Sequence, residues 1–387
     1  MARTTFLPFA LPDITEAEIA EVTAALRSNW ITTGPRTRQL EQIFADYLGR
    51  PEALGLNSCT AGLHVALATA GIGPGDEVIT TTYTFCATVN VIEHVGARPV
   101  LVDICADTLN IDPTQIESAL TSRTRAIIPV HYGGHCCDMA AIMEIARRYK
   151  LIIIEDCAHA LPASFYAQPA GTFGDFAAFS FYATKTMTTA EGGMLVARDA
   201  DMIDQARIFS LHGMSRDAWK RFSAAGSWYY EVITPGFKYN MTDLSAALGL
   251  AQFQRLEEMQ RNRAAIAAAY NQAFCEVSAL QIPALRPGVC HSWHLYPLRL
   301  HLNQLRIGRT QFIEEMKAHN IGTSVHYIPI HLHPFYRDRY AYQPDSFPVA
   351  HREYQRLISL PIYSTMSAQD VNDVIEAVVS IVERFQR

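Results

Sequence analysis

Between residues 50 and 250 the chain alternates short β-branched runs with longer amphipathic ones, and few folds accept that order. Ala53–Asn57 predicts a strand and Thr60–Gly71 a helix, and Pro74-Gly75-Asp76 then turns into a strand over Glu77–Tyr83. Phe85–Gly96 reads as a helix, Arg98–Ile104 as a strand, Arg125–His131 as a strand, Asp138–Tyr149 as a helix and Leu151–Asp156 as a strand. Asp112-Pro113 marks a helix start, because Asp caps the first turn and Pro is pre-set for the first helical position. Asp175–Phe181 and Gly193–Arg198 predict two more strands. Such alternation gives a mostly parallel sheet with helices on both faces. Met241–Phe274 then reads as one long helix leaving the sheet. A strand over Trp293–Leu300, a helix over Arg309–His319, a strand over Ile321–Ile328 and an amphipathic helix over Ala368–Phe385 follow. The expected fold class is α/β, with a large domain over 1–255 that includes an N-terminal arm and a smaller α/β domain over 256–387.

Composition narrows the function. The chain has 387 residues, 49% of them hydrophobic, enough for one large core and a second lobe. Its net charge of −6 and the absence of any Lys/Arg block exclude a nucleic-acid binder. Met1–Asp13 is broken by Pro8 and Pro12 and lacks the apolar core of a signal peptide, and Leu151–Ile154 is too short to span a bilayer. A soluble, cytoplasmic protein is expected. The eight cysteines stand in apolar contexts without a CxxC framework, which predicts free thiols.

Three segments carry chemistry. Ile152-Ile153-Ile154-Glu155-Asp156 runs a buried strand into a carboxylate, at the edge where open α/β sheets bind ligands. An acid there also serves simply as a helix cap. Phe179-Ser180-Phe181-Tyr182-Ala183-Thr184-Lys185 ends another strand in a lysine, ordinarily a solvated residue. Because Asp156 and Lys185 both follow strands of one sheet, they are either a plain ion pair or the two groups a pyridoxal phosphate site needs. Asn57-Ser58-Cys59-Thr60-Ala61-Gly62 turns a strand into a helix and exposes amides suited to an anion. It is neither a dinucleotide fingerprint nor a Walker loop. His131-Tyr132-Gly133-Gly134-His135-Cys136-Cys137-Asp138 and His331-Leu332-His333 gather ligand types without a closed zinc spacing, so no metal is expected.

Taken in order, the motifs Asn29–Pro35, Asn57–Leu67, Gly73–Ile79, Glu155–Ala160, Phe179–Lys185, Glu191-Gly192-Gly193 and Gly236–Leu250 resemble the DegT/StrS family of pyridoxal-phosphate-dependent nucleotide-sugar aminotransferases. The resemblance runs from Phe6 to the C-terminus and implies the aspartate-aminotransferase fold, fold type I. It implies that Thr60, the Ala61 amide and the Ser180 hydroxyl hold the cofactor phosphate and that Phe85 stacks on the pyridine ring. It implies that Asp156 pairs with the ring nitrogen, His159 lies near the phenolic oxygen, and Lys185 is the Schiff-base lysine. Lys238 and Asn240 are implied to reach the cofactor phosphate of a neighbouring subunit, which makes the protein a homodimer with shared sites.

His159 and Lys238 depart from the commoner Gln and Asn of the family and resemble the branch that makes UDP-4-amino-4-deoxy-L-arabinose. The implied reaction moves an amino group from L-glutamate to a nucleotide-linked keto-sugar, at C4 in preference to C3. The amino-sugar product would serve polysaccharide, lipopolysaccharide or natural-product glycosylation. Trp30, Tyr182, His326 and Tyr327 are the candidate substrate residues, with core packing as the alternative for each. Arg216, Lys220 and Arg221 form either a diphosphate contact or a solvated loop. Related chains that dehydrate a sugar carry His in place of the lysine, so Lys185 favours transamination.

Overall fold

A computed structural model describes residues 3–215 and 229–387. Among these residues thirteen strands form three sheets. The largest holds β1 (Ala53–Leu56), β2 (Glu77–Thr81), β3 (Arg98–Val102), β4 (Thr124–Ile128), β5 (Ile152–Asp156), β8 (Phe176–Ser180) and β9 (Gly193–Ala197). Their order is β1-β9-β8-β5-β4-β2-β3. A hairpin of β6 (Ser164–Phe165) and β7 (Gln168–Pro169) pairs with β11 (Val289–Cys290). Parallel ladders join β3, β2, β4, β5 and β8, while β9 runs antiparallel between β8 and β1.

Burial on both faces explains the apolar runs: every residue of β2 and of β9 is buried. Successive side chains point to opposite faces. Ile154, Ala178 and Leu195 therefore pack with Leu63 and Leu67 of the helix Cys59–Thr69 on one side. Ile153, Ile127 and Ile79 pack with Ile142 and Ile145 of the helix Met139–Tyr149 on the other. Ser58, Asp112 and Asp138 cap three of the helices, each side chain accepting a backbone N–H of the first turn.

After the large sheet, β10 (Leu280–Gln281), β12 (Tyr296–Leu300) and β13 (Leu357–Leu360) form an antiparallel sheet in the order β10-β12-β13. Its core joins Ile266, Tyr270 and Phe274 of the helix Leu256–Phe274 to Val374, Val378 and Ile381 of the helix Ala368–Phe385. Leu7 of the N-terminal arm enters the same core, and its backbone exchanges hydrogen bonds with Asn320 and Gly322. No helix among the described residues is long and apolar enough to cross a membrane.

Two expected elements are corrected. Met241–Phe274 is not one helix: it breaks at Arg255 (φ −103°, ψ 4°) into Asp243–Gln254 and Leu256–Phe274. There the Arg255 amide bonds Gln252 O, and its guanidinium pairs with Asp13 at 3.0 Å and Glu18 at 3.5 Å. Both acids are remote in sequence, so no breaker residue is visible. Ile321–Ile328 is not a strand either. Its alternation reflects pairing with two different partners, Ile321 with Leu7 and Ser324 with Ser359.

Candidate active site

A cavity of about 580 Å³ opens at the carboxyl ends of β5 and β8, the edge where a parallel sheet offers ligand positions. β5 delivers Asp156, β8 delivers Ser180, and the turn after β8 delivers Tyr182, Thr184 and Lys185. Because β9 runs in the opposite direction, the residues before it, Glu191 and Gly192, reach the same edge. The start of the helix Cys59–Thr69 brings Ser58, Cys59 and Thr60. Gly193 permits this approach: a Cβ there would lie 2.4 Å from the Ser58 carbonyl carbon.

Asp156 is buried and held from several sides. The Ala158 amide donates to Oδ1 at 3.1 Å and the Thr88 hydroxyl to Oδ2 at 2.8 Å. Thr84 contacts the Thr88 hydroxyl at 2.9 Å, and the Cys59 thiol lies 3.9 Å from Oδ1. Burial pushes the carboxyl up, opposed by the Ala158 amide, the Thr88 hydroxyl and the Lys185 charge. A buried carboxylate short of positive charge suits a cationic ring nitrogen. Burial lowers the Lys185 amine to about 8, against the pull of Cys59 and Asp156 and with the help of Arg263. On the order of a tenth of it is neutral at pH 7.

His159 is fixed in one tautomer. Its Nδ1 accepts from the Gly133 amide at 3.1 Å, so Nε2 carries the proton and donates to the Tyr327 hydroxyl at 2.9 Å. Burial holds its ring well below the ordinary histidine range, with Lys185 and His326 adding to the effect. Tyr327, His326 and Phe85 line the cavity beside it. Phe85 presents its ring with 56% exposure, tilted 5.7 Å from the ring of Tyr327. His326 is held by Ser359 at 2.9 Å and stacked on Phe9.

The cavity thus assembles Thr60, Phe85, Asp156, His159, Ser180, Tyr182, Lys185, His326 and Tyr327 of the sequence-predicted residues. Ala61 is not among the lining residues; its amide donates to the capping hydroxyl of Ser58 at 3.1 Å. Trp30, Lys238 and Asn240 do not line this cavity either. They meet elsewhere, through Thr33. Trp30 donates to the Thr33 carbonyl at 3.0 Å, Asn240 to its hydroxyl at 2.7 Å, and Lys238 to Asn240. Arg216, Lys220 and Arg221 lie outside the described residues. Sequence reasoning missed His294, whose Nε2 is 3.4 Å from the Lys185 amine, and Thr88. Thr84 and Thr88 are four residues apart at the start of the helix Cys86–His94, a spacing that places two hydroxyls together.

His131, Glu155 and Cys157 bring ligand atoms within 4.8 Å of one another in the interior. Glu155 is saturated by the amides of Gly171, Phe173 and Gly174 and by His131 at 3.0 Å. His131 Nδ1 accepts from the Cys137 amide. The cluster pins the 171–174 turn to β5. His331 is likewise spent on Thr82 and Pro344.

A family model described as the DegT/DnrJ/EryC1/StrS aminotransferase family matches residues 12–379. The chain belongs to that family. It shares 49% identity over 382 residues with the spore coat polysaccharide biosynthesis protein SpsC of Bacillus subtilis, covering 98% of each chain. Among solved structures it is similar to the assigned sugar aminotransferase Spr1654 of Streptococcus pneumoniae in its PLP form. That match has 37% identity and a TM-score of 0.91, and covers 98% of this chain and 99% of the other. It also resembles PseC of Helicobacter pylori, an aminotransferase involved in the biosynthesis of pseudoaminic acid. There the identity is 27% and the TM-score 0.91, over 99% and 100% of the two chains.

As a member, the chain is a pyridoxal-phosphate-dependent aminotransferase of fold type I. The donor set fits that cofactor: a buried carboxylate and a depressed lysine share one cavity, with hydroxyls and a helix N-terminus beside them.

Proposed function

We propose that this protein transfers an amino group from L-glutamate to the C4 keto group of a nucleotide-linked sugar, as a cytoplasmic homodimer with shared sites. The observation that carries the reading is the sharing of one cavity by Asp156 and Lys185, with the lysine amine lowered toward neutrality by burial.

Pyridoxal phosphate, when bound, supplies an electron sink for the bond broken at the carbon bearing the amine. Asp156, fixed by Ala158 and Thr88, would hold the proton on the pyridine nitrogen. Lys185 would anchor the cofactor, and its amine would serve as general base and acid for the proton at the amine-bearing carbon of the substrate. An amine lowered to about 8 is suited to both directions of that transfer near neutral pH. Thr60 and Ser180, which line the cavity, would take the phosphate, and Phe85 would form a wall for the ring. His159 donates to Tyr327 and orients that phenol toward the cavity. Tyr182, His326 and Tyr327 bound the space left for the sugar.

Trp30, with exposed Ile31 next to it in the chain, and exposed Lys238 form a surface patch with half-buried Asn240 through Thr33. In our reading this patch completes the phosphate site of a second subunit. The surface apolar side chains support it, because single chains seldom leave such groups together.

Borohydride reduction of the holoenzyme followed by peptide mapping tests the lysine assignment: the label is expected on Lys185, and a label on another lysine overturns it. The substrate is tested by loading the enzyme with pyridoxamine phosphate. Return of the PLP absorbance is then followed with UDP-, dTDP- and GDP-linked 3- and 4-keto-sugars. A response restricted to 3-keto-sugars contradicts C4 amination.

A further inference from the structure

His294 plays no part in the roles assigned so far, yet its Nε2 is 3.4 Å from the Lys185 amine. The chain has gone to some length to put it there. His294 follows Trp293, which has φ +52°, a left-handed conformation that costs a bulky residue on the order of 1 kcal/mol. Strain of this kind persists only where surrounding bonds over-determine it. They do so here. The Ser292 amide donates to Gly134 O at 3.1 Å and the Leu295 amide to Gly133 O at 3.0 Å. The Ser292 hydroxyl donates to His159 O at 2.6 Å, and Arg263 reaches Trp293 O at 3.4 Å. The turn that receives these bonds also fixes His159 through the Gly133 amide. The rings of His159 and His294 consequently lie 4.4 Å apart, tilted by 35°.

The tautomer of His294 follows from its other nitrogen. Nδ1 is buried and has no hydrogen-bond partner among the described residues. An orphaned buried N–H is rarer than an under-used acceptor, so Nδ1 keeps its lone pair and the proton resides on Nε2. Burial keeps the ring neutral, helped by the charge of Arg263 and by that of Lys185 when protonated. An Nε2–H aimed at a lysine nitrogen is compatible with an amine, which has a lone pair, and not with an ammonium, which has none.

We infer that His294 is a positioning residue for Lys185: its Nε2–H donates to the amine when the lysine is unprotonated and free of the cofactor, which holds that amine in place and favours its neutral form. This rests on the assignment of Lys185 as the cofactor lysine. The other groups facing that amine are Asp156 and Cys59 from the sheet side, Arg263 from the helix Leu256–Phe274, and His159 and His326 across the cavity. Asp156 and Cys59 favour the ammonium, and Arg263 opposes it. Among these groups His294 alone has a nitrogen within hydrogen-bond reach of the lysine.

The test is competitive acetylation of apoenzyme between roughly pH 6 and 10, with the Lys185 peptide quantified by mass spectrometry. Wild type is expected to titrate near 8. His294→Gln and His294→Asn replace the N–H by an amide that can turn its oxygen to the ammonium. The midpoint should rise by about one unit in both, leaving about tenfold less neutral amine at pH 7. A midpoint that stays or falls in a variant with wild-type circular dichroism overturns the inference. If one variant fails to fold, the other decides. Borohydride labelling at another lysine would remove the premise, whereas an unmoved midpoint with the label on Lys185 would remove only the role of His294.

Discussion

The Lys185 cavity and the Trp30–Lys238–Asn240 patch contain side chains of similar chemistry, built in opposite ways. In the cavity each group is fixed by partners from several elements. Asp156 at the end of β5 takes bonds from Ala158 and Thr88, and His159 is clamped between Gly133 and Tyr327. In the patch, Lys238 is exposed and satisfied within its own group, through Asn240 and Thr33. A chain can pre-organise the cofactor's reactive end alone, because a parallel sheet brings distant strand ends to one edge. An exposed cluster has no such scaffold.

Asp156→Asn should break the cavity most severely. The variant keeps the shape and the lysine, so it still binds pyridoxal phosphate covalently, but loses the charge that retains the ring proton. Turnover is expected to fall on the order of 10³-fold, as for loss of a preorganised electrostatic partner. Single-turnover amine transfer measures this directly, and a rate within a few-fold of wild type contradicts the role of Asp156.

The patch is tested next, with an effect of intermediate size. If Lys238 and Asn240 complete a phosphate site as proposed, losing them removes two hydrogen bonds to phosphate, one of them charge-assisted, and should weaken cofactor binding on the order of 10–100-fold. If the patch serves a second subunit, mixing Lys185→Ala with the Lys238→Ala/Asn240→Ala double variant creates heterodimers with one intact site. Roughly a quarter of wild-type activity should return at limiting cofactor after random exchange of subunits. Verified heterodimers without activity would show that the patch does not act across an interface.

The same contrast explains how much was legible in the sequence. Asp156, Ser180 and Lys185 were readable because each follows a run whose burial on both faces leaves a single sheet edge for the next residue. His294 was not, because its direction depends on the left-handed Trp293 and on bonds to Gly133 and Gly134, far away in the chain. The same non-locality hid the helix break at Arg255, which is set by Asp13 and Glu18. In Ile321–Ile328 the alternation was real, but it recorded burial against Leu7 and Ser359 in turn instead of one ladder. Trp30, Lys238 and Asn240 could be named from the family likeness, yet nothing local indicated that they would gather around Thr33.

The smallest expected effect concerns stability, and it separates a buried lysine from an exposed one. The native amine of Lys185 titrates near 8, below its ordinary value of 10.5. Between these values the unfolded chain binds more protons than the native one, so stability rises with pH through this window. Below pH 8 the full penalty of burying the cation is present, and above the unfolded value it is gone. Transfer of the whole shift would cost about 3 kcal/mol, and residual solvent access in the cavity reduces this to about 1–2 kcal/mol. Lys185→Met, which matches the side chain as far as Cε and removes the charge, should therefore stabilise the apoprotein at pH 7. The gain should shrink as pH approaches 10, while Lys238→Met on the exposed patch yields only a fraction of it. Thermal midpoints of the two apoprotein variants across this range decide the matter. A Lys185→Met gain independent of pH would mean that better packing, and not relief of a buried charge, is its source.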